Sequence, residues 1–332
     1  MRRIAVEEAF ITPEILAAWK ECLKRDDVEP GFAKMAGALL SPAGRPLFEK
    51  MLDIGAGRIA HMDKVGVDMQ VLSLTSPGVQ VLDAATAIRL AAQSNDMLAA
   101  AVKAYPTRLA GLAAIAPQDP AVAAKEIERG ARQLGMRGVI VNSHTGGEYL
   151  DLPKYRPILE AAEALDMPIY LHPREPSTPM VTPFLDYGLY FAMWGFSAET
   201  GLHAMRLIVS GTFDRFPKLK IVLGHMGEGI PYYLQRIDNR HAMQVKLGAT
   251  PALARKPSEY FRENFYVTTA GVTSLPTLRL CLDVLGSERV LFAADYPYED
   301  DDEAVHFIKE TVLTAEERKR VCETNAVNLF KL

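Results

Sequence analysis

The 332-residue sequence predicts an α/β fold, a (β/α)8 TIM barrel, from three observations. Eight short apolar runs recur along the chain, and they are continuously hydrophobic, as in parallel strands covered on both faces. Amphipathic stretches with helical spacing separate these runs. No glycine-rich fingerprint follows the first run, which disfavours the alternative of a doubly wound sheet. The predicted strands are Arg3–Val6, Met69–Leu74, Leu109–Ile115, Gly138–Asn142, Pro168–Leu171, Lys220–Leu223, Phe265–Thr269 and Val290–Ala293.

Three of the stretches between strands carry clear helix signals. Ala121–Leu134 has apolar residues at helical spacing and stops before Gly135, a residue typical of helix ends. Tyr155–Leu165 has the same spacing. The last helix is predicted to begin at Thr314, because Ser or Thr followed three residues later by Glu forms a capping box.

The chain is longer than a minimal barrel, which takes about 250 residues, so roughly 80 residues must be insertions. Two segments accommodate them: Thr12–Arg58 after the first strand and Pro173–Thr200 after the fifth. Both follow the carboxyl ends of strands, where barrel enzymes form their pockets. An aromatic cluster in the second insertion favours core packing over a pocket wall. Its members are Tyr187, Tyr190, Phe191, Trp194 and Phe196. No linker divides the chain, so residues 1–332 are predicted to form one domain.

Composition excludes several classes of protein. A net charge of −4 without a basic block argues against nucleic acid as a partner. No run of eighteen apolar residues is present, so no membrane span is predicted. The first residues do not have the pattern of a secretory signal, and three scattered cysteines lack metal spacing. A reduced, cytoplasmic location is therefore predicted.

Polar residues follow the predicted strands at the point where each ends. In a barrel these ends meet at one mouth, so Glu7, His172 and Asp295 are expected around one point. Two carboxylates and an imidazole suit a divalent ion such as Zn²⁺ or Mn²⁺, with positions left open for substrate or water.

Each of these residues also has an ordinary structural interpretation. One of Glu7 and Glu8 is expected to pair with an arginine, because adjacent strand residues point to opposite faces. His172 fits a turn, and Asp295 fits a helix cap. The segment from His225 to Glu228 fits the start of a helix. Their joint occurrence at strand ends favours the functional interpretation.

The strand-five histidine, the Gly224-His225 pair and Asp295 followed by Tyr296-Pro297 resemble the amidohydrolase superfamily. Within it, the pattern is similar to the branch of aminocarboxymuconate semialdehyde decarboxylase and the 5-carboxyvanillate, 2,3-dihydroxybenzoate and γ-resorcylate decarboxylases. The resemblance spans nearly the whole chain. The segments that carry it are Ile4–Phe10, Leu74–Gly78, Ala116–Pro120, Asn142–Thr145, Gly224–Glu228 with Pro231-Tyr232, and Thr324–Ala326.

The resemblance implies a role for nine residues. Glu7, His172 and Asp295 would bind one divalent ion, with His225 and Glu228 beside it. Substrate contacts would come from Arg45, Thr75, Arg236 and Tyr298. Ala9 stands where many relatives have a histidine ligand, and the loss of an imidazole favours Mn²⁺ or Mg²⁺ over Zn²⁺.

The implied function is metal-dependent, non-oxidative decarboxylation of a hydroxylated, salicylate-type aromatic acid. Asp295 is the first candidate for the proton donor, and His225, tuned by Glu228, is the second. There are two rival functions. The first is a hydrolase or hydratase acting on a lactone or unsaturated acid, which these same residues permit with His225 as the base. The second is a non-catalytic barrel that binds an aromatic ligand or serves as a scaffold. Barrels of this branch pair, so a homodimer or homotetramer is expected, with Arg236 acting either in the pocket of its own subunit or in that of the neighbouring subunit.

Overall fold

The computed structural model describes residues 1–332 and confirms the predicted barrel. Eight parallel strands pair in chain order, each with the next. Because consecutive strands are neighbours, all their carboxyl ends lie at the same end of the sheet. The strands are β1 Ile4–Phe10, β2 Met69–Leu74, β3 Leu109–Ala114, β4 Gly138–Asn142, β5 Ile169–His172, β6 Ile221–Leu223, β7 Phe265–Thr268 and β8 Val290–Leu291.

Seventeen helical segments surround the strands, and short 3₁₀ turns join some of them. None of the helices combines the length and the hydrophobicity needed to span a bilayer. In order, α1–α9 are Pro13–Cys22, Pro30–Leu39, Arg45–Leu52, Ala56–Val65, Ala84–Ala104, Pro120–Gln133, Arg156–Ala164, Thr178–Val181 and Gly195–Val209. The remaining segments, α10–α17, are Thr212–Arg215, His225–Glu228, Ile230–Lys246, Pro257–Asn264, Leu275–Leu285, Asp301–Glu310, Ala315–Lys319 and Asn325–Phe330.

Local sequence explains where several helices begin. The capping box before α16 is confirmed: Thr314 accepts a hydrogen bond from the Glu317 amide, and the Glu317 carboxylate accepts one from the Thr314 amide. Asp119 caps α6 in a similar way, with Pro120 in the first turn. These caps satisfy amides that the helix itself leaves unpaired.

A continuous core of 84 buried apolar residues fills the barrel and the layer between strands and helices. Every residue of β2, β3 and β4 is buried, as expected for parallel strands covered on both faces. Burial of this extent is the main stabilising contribution to the fold.

The seam between β1 and β8 is the least regular part of the barrel. β1 extends beyond the predicted Val6 to Phe10, and its register against β2 shifts between Ala5 and Glu8. β8 has only two residues. Two backbone hydrogen bonds join β1 to the segment that follows β8, from Val6 N to Phe292 O at 3.2 Å and from Ala9 N to Tyr296 O at 2.7 Å.

The two predicted insertions are present at the carboxyl ends of β1 and β5. The first contains α1, α2 and α3, and the second contains α8 and the start of α9. A partly buried ion pair joins them: Arg174 Nη2 lies 2.5 Å from Glu29 Oε2, and the Arg174 side chain is fully buried. The insertions therefore lie together over one end of the barrel.

Candidate active site

Three side chains from distant parts of the sequence meet where the strands end. One carboxylate oxygen each of Glu7 and Asp295 and one ring nitrogen of His172 lie within 4.8 Å of one another. His225 adjoins them, with its Nε2 atom 3.5 Å from Asp295 Oδ2 and 3.9 Å from Glu7 Oε1. The structure thus brings together the four residues that the sequence placed at the mouth of the barrel.

Glu7 has hydrogen bonds to one of its carboxylate oxygens and none to the other. Its Oε2 atom accepts hydrogen bonds from the hydroxyls of Tyr170 and Thr268, the latter at 2.7 Å. The Oε1 atom is buried without any hydrogen-bond partner. A Cβ atom at Gly224 would lie 2.5 Å from Oε1, so only glycine leaves room for this carboxylate. An unpaired buried oxygen is costly unless a ligand completes it, which fits a metal-binding role.

His172 is oriented in a similar way. Its Nδ1 atom donates to the carbonyl of Pro173 at 2.8 Å, which leaves the Nε2 lone pair directed towards Glu7 Oε1, 3.7 Å away. Burial lowers the pKa of His172, so the neutral ring, which is the form that binds metals, is favoured. A backbone carbonyl on the far nitrogen is the usual way that proteins orient a histidine ligand.

Asp295 lies four residues after the end of β8 and has a left-handed backbone, φ +63°. Residues other than glycine rarely adopt this conformation, and they do so chiefly where the surrounding structure requires it. The alternative interpretation of Asp295 as a helix cap is wrong, because the cap of α15 is Asp300. Burial raises the pKa of the Asp295 carboxyl.

The segment from His225 to Glu228 is a strained turn rather than the start of a regular helix. His225, Met226 and Glu228 all have positive φ, between +49° and +55°. The turn directs His225 Nδ1 at Glu228 Oε1, 2.7 Å away, and leaves Nε2 facing Asp295. Burial lowers the pKa of His225, but the carboxylates of Glu228 and Glu7 outweigh it and hold the pKa well above its usual range.

The prediction that Glu7 or Glu8 pairs with an arginine is wrong. Glu8 is fully buried and points away from Glu7. Its two oxygens accept hydrogen bonds from the backbone amides of Ala294 and Tyr296. The physical reason is that β1 lies beside the segment that follows β8. Two backbone amides of that segment, which have no other acceptor, donate to the Glu8 carboxylate in place of a cation.

A cavity opens above the cluster, and both insertions supply its walls. Phe191 and Phe196 meet edge to face there, with ring centroids 5.0 Å apart. These two members of the aromatic cluster line the cavity, whereas Tyr187 and Trp194 are exposed. The lining residues are Met35, Ser76, His172, Pro173, Phe191, Ala192, Phe196, His225, Asp295, Tyr298 and Glu299.

The residues fit a divalent metal ion. Two carboxylates and one imidazole form an oxygen-rich donor set, which suits Mn²⁺ better than a metal that prefers sulfur or several nitrogens. Three protein ligands leave positions open for a substrate, as in catalytic metal sites generally.

Comparison with protein families matches residues 33–332 to the amidohydrolase model. The chain belongs to the amidohydrolase family. The γ-resorcylate decarboxylase of a Polaromonas species is similar to this amidohydrolase, with 39% identity over 99% of this chain and 98% of the relative.

Two crystal structures extend the comparison to the whole barrel. The 5-carboxyvanillate decarboxylase of Sphingomonas paucimobilis is 45% identical, with a TM-score of 0.97 over 100% of this chain and 99% of the other. The enzyme of the same name from Novosphingobium aromaticivorans is 41% identical, with a TM-score of 0.97 over 100% and 96% of the two chains. That structure contains manganese and 4-hydroxy-3-methoxy-5-nitrobenzoic acid.

The four residues predicted to contact the substrate occupy different places in this amidohydrolase. Tyr298 lines the cavity, and its hydroxyl lies 2.6 Å from Thr75 Oγ1. Arg45 is on the surface: its side chain is 80% exposed and pairs with Glu49. Arg236 is exposed and lines a separate surface groove. The chain thus places Tyr298 in the wall of the pocket and Thr75 in contact with it, whereas Arg45 and Arg236 lie outside the pocket.

Sequence reasoning missed several residues of the site. Tyr170 precedes His172 by two residues on β5, so both point to the same face, and this spacing was a usable signal. Thr268, at the end of β7, was detectable in the same way as the other strand ends. Met35 and Glu299 gave no such signal, because their positions depend on how an insertion and a turn pack against the barrel.

Proposed function

We propose that this amidohydrolase is a manganese-dependent, non-oxidative decarboxylase of a hydroxylated, salicylate-type aromatic acid. The observation that carries the proposal is the convergence of Glu7, His172, Asp295 and His225 beneath a cavity with aromatic walls. Full-length similarity to γ-resorcylate and 5-carboxyvanillate decarboxylases supports the same reaction. The proposal treats residues 1–332 as one catalytic domain.

Glu7, His172 and Asp295 would hold the ion, through Glu7 Oε1, His172 Nε2 and one carboxylate oxygen of Asp295. When bound, a divalent ion supplies Lewis acidity and a template for the carboxylate and the ortho oxygen of the substrate. Manganese in the Novosphingobium aromaticivorans structure supports this metal over Zn²⁺, and Mg²⁺ is a third option for the same donors.

The reaction requires a proton donor near the face of the ring. Direct loss of CO₂ would leave an electron pair in the ring plane, where the π system cannot stabilise it, so the carbon bearing the carboxylate must first be protonated. Asp295 is placed to deliver that proton, and His225 Nε2, 3.5 Å from Asp295 Oδ2, is placed to supply the next one. The carbon–carbon bond then breaks, its electron pair restores the aromatic ring, and CO₂ leaves.

Other residues bind and orient the substrate in this proposal. Phe191 and Phe196 would pack against the ring and exclude water from it. The paired hydroxyls of Tyr298 and Thr75 offer hydrogen bonds to a ring substituent. Glu228, through its bond to His225 Nδ1, would keep the other ring nitrogen directed at Asp295.

We also propose that the active form is a homodimer or homotetramer located in the cytoplasm. Tyr232 and Tyr233 are 74% and 52% exposed on α12, beside the outward-facing Arg236. Exposed aromatic side chains next to an arginine are typical of protein interfaces. In such an assembly Arg236 would reach the pocket of the neighbouring subunit. A fully active monomer in light scattering would contradict this proposal.

Isotope labelling tests the reaction. Turnover of hydroxybenzoates in D₂O should place one deuterium at the vacated ring carbon, and turnover in H₂¹⁸O should leave no labelled oxygen in the aromatic product. Uptake of ¹⁸O without release of CO₂ would instead support a hydrolase or hydratase. Binding of Mn²⁺ without turnover of any hydroxybenzoate would support a non-catalytic barrel.

Substitution tests the roles of the residues. Asp295→Asn should lower kcat by about 10³-fold even with excess Mn²⁺, within the usual range for loss of a general acid. His225→Asn should retain the ion and lose most turnover. Equal metal occupancy and equal turnover in Asp295→Asn and the parent protein would contradict the assignment.

A further inference from the structure

The Glu8 carboxylate forms an unusual contact with the strand that carries Asp295. Glu8 is fully buried, follows Glu7 on β1 and points to the other side of that strand. Its Oε1 atom accepts a hydrogen bond from Ala294 N at 3.0 Å, and its Oε2 atom accepts one from Tyr296 N at 3.1 Å. Those two amides belong to the residues immediately before and after Asp295. A single carboxylate therefore holds the backbone on both sides of a proposed metal ligand.

The backbone at this point needs such support. Asp295 has a left-handed conformation that side-chain-bearing residues rarely adopt, so neighbouring contacts must hold it there. β8 ends at Leu291, four residues earlier, and the seam with β1 has only two backbone hydrogen bonds. Without Glu8, the amides of Ala294 and Tyr296 would be buried without partners.

Two buried polar side chains hold Glu8 in turn. Gln70 Nε2 lies 3.4 Å from Glu8 Oε2, and Arg58 Nη1 donates to Gln70 Oε1 at 3.2 Å. Arg58 is 1% exposed and also donates to the carbonyl of Ala9, two residues after Glu7, at 2.7 Å. The same chain of hydrogen bonds thus supports β1 behind Glu7 and the turn that carries Asp295.

We propose that Glu8 is a positioning residue that sets the distance between the carboxylates of Glu7 and Asp295. It touches neither the cavity nor the cluster, and it acts through the backbone of Asp295. The expected effect of Glu8 on metal affinity requires only that Glu7, His172 and Asp295 bind the ion. Its expected effect on turnover rests on the proposed function. Substitution of residues that orient metal ligands typically weakens metal affinity by about 10- to 100-fold.

The test compares Glu8→Gln with the matched control Asn95→Asp. Each variant swaps a carboxylate and an amide of the same shape at a fully buried site that bonds two backbone groups. Asn95 bonds both polar atoms of Ala114 at the end of β3 and also donates to Glu126 Oε1 at 2.6 Å. No candidate ligand lies there, so Asn95→Asp lowers stability, through the lost bond and the like charge of Glu126, without touching the proposed metal site. Mn²⁺ dissociation constants are measured by calorimetry on folded protein, together with the electron paramagnetic resonance spectrum of the bound ion.

Glu8→Gln should weaken Mn²⁺ binding at least about tenfold, change the spectrum of the ion and lower kcat more than it changes KM. Asn95→Asp should lower the melting temperature with little effect on these quantities. A Glu8→Gln protein with the parental dissociation constant and spectrum would overturn the proposal. If that variant does not fold, Glu8→Asp, whose shorter side chain cannot span both amides, is judged by the same criteria. Absence of decarboxylation in the parent protein would refute the proposed function and leave the metal measurements intact.

Discussion

The ends of β4 and β5 carry similar residues and use them differently. His144, after β4, has both ring nitrogens engaged: Nδ1 accepts a hydrogen bond from Gly147 N, and Nε2 donates to the Glu175 carbonyl. His172, at the end of β5, has only Nδ1 engaged, while Nε2 faces Glu7. One histidine stabilises a loop, and the other keeps an atom available for a ligand.

The same contrast applies to the polar groups around each histidine. After β4, the Gln80 side chain bonds the backbone of Asn142 and His144 and the hydroxyl of Thr145. At the site, Glu7 Oε1 is buried with no partner at all. Asn142 Oδ1 and Glu175 Oε2 are also buried without a partner, so an unpaired oxygen indicates a ligand site only where, as at Glu7, other ligand atoms lie beside it.

The largest effect expected from this comparison is on metal binding. His172→Ala should weaken Mn²⁺ binding by more than about 100-fold, because it removes a direct ligand rather than a residue that orients one. His144→Ala should leave the dissociation constant of Mn²⁺ unchanged and lower only the melting temperature. Calorimetric titration of both variants measures the difference, and equal affinities would remove the distinction between the two strand ends.

The two regions are joined by Arg174, which gives the next largest effect. Its guanidinium donates to the carbonyl of His144 and lies 2.5 Å from carboxylate oxygens of Glu29 and Glu175. Arg174→Met should lower the free energy of unfolding by about 3 kcal/mol, because it leaves the buried carboxylate of Glu175 without its cation. It should also raise KM, since Glu29 precedes the helix that carries Met35 into the cavity. Urea unfolding and steady-state kinetics measure the two effects. An unchanged KM would show that the insertions are held in place independently.

A smaller effect concerns the pH dependence of stability. Burial and the nearby Arg206 lower the pKa of His203 to about 3. Its ring accepts a hydrogen bond from Leu150 N at 2.9 Å and lies 3.3 Å from Ser143, directly after β4. The unfolded chain therefore binds this proton at a higher pH than the folded chain, with a pKa near 6.5. The stabilisation is present above about pH 6.5 and is lost as the pH falls towards 3, at up to about 1.4 kcal/mol per pH unit.

His203→Gln should remove the contribution of this histidine to the pH dependence of stability. Between pH 6 and pH 4, the free energy of unfolding should change less steeply with pH in the variant than in the parent protein. Mn²⁺ affinity at neutral pH should not change, because the region after β4 contributes to stability and not to the ligand set. An unaltered slope would show that His203 is not neutral in the folded protein.

The smallest expected effect is at Arg45. Its pair with Glu49 is exposed to solvent, so Arg45→Ala should change the free energy of unfolding by less than about 0.5 kcal/mol. The resemblance to carboxyvanillate decarboxylases predicts a higher KM for an aromatic acid in this variant. Unchanged kinetics would contradict a substrate contact and leave Arg45 as a surface residue.

Much of the fold and the central part of the site were predictable from the sequence. Apolar runs such as Met69–Leu74 and caps such as Thr314 act over a few residues, so local pattern is sufficient to locate them. The barrel topology then implies that the ends of β1, β5 and β8 meet. Glu7, His172 and Asp295 could be grouped on that basis before any distance was known.

The partners of those residues depended on tertiary structure. Glu8 bonds amides 286 and 288 residues away, and Arg174 pairs with Glu29 across 145 residues. Such contacts depend on strand register, on the seam of the barrel and on the packing of two insertions, none of which has a local sequence signal. The left-handed turns at His225 and Asp295 belong to the same class, because their strained backbones persist only where the folded environment holds them. Local sequence therefore determined which residues could bind a metal, and long-range packing decided which of their atoms remain free to do so.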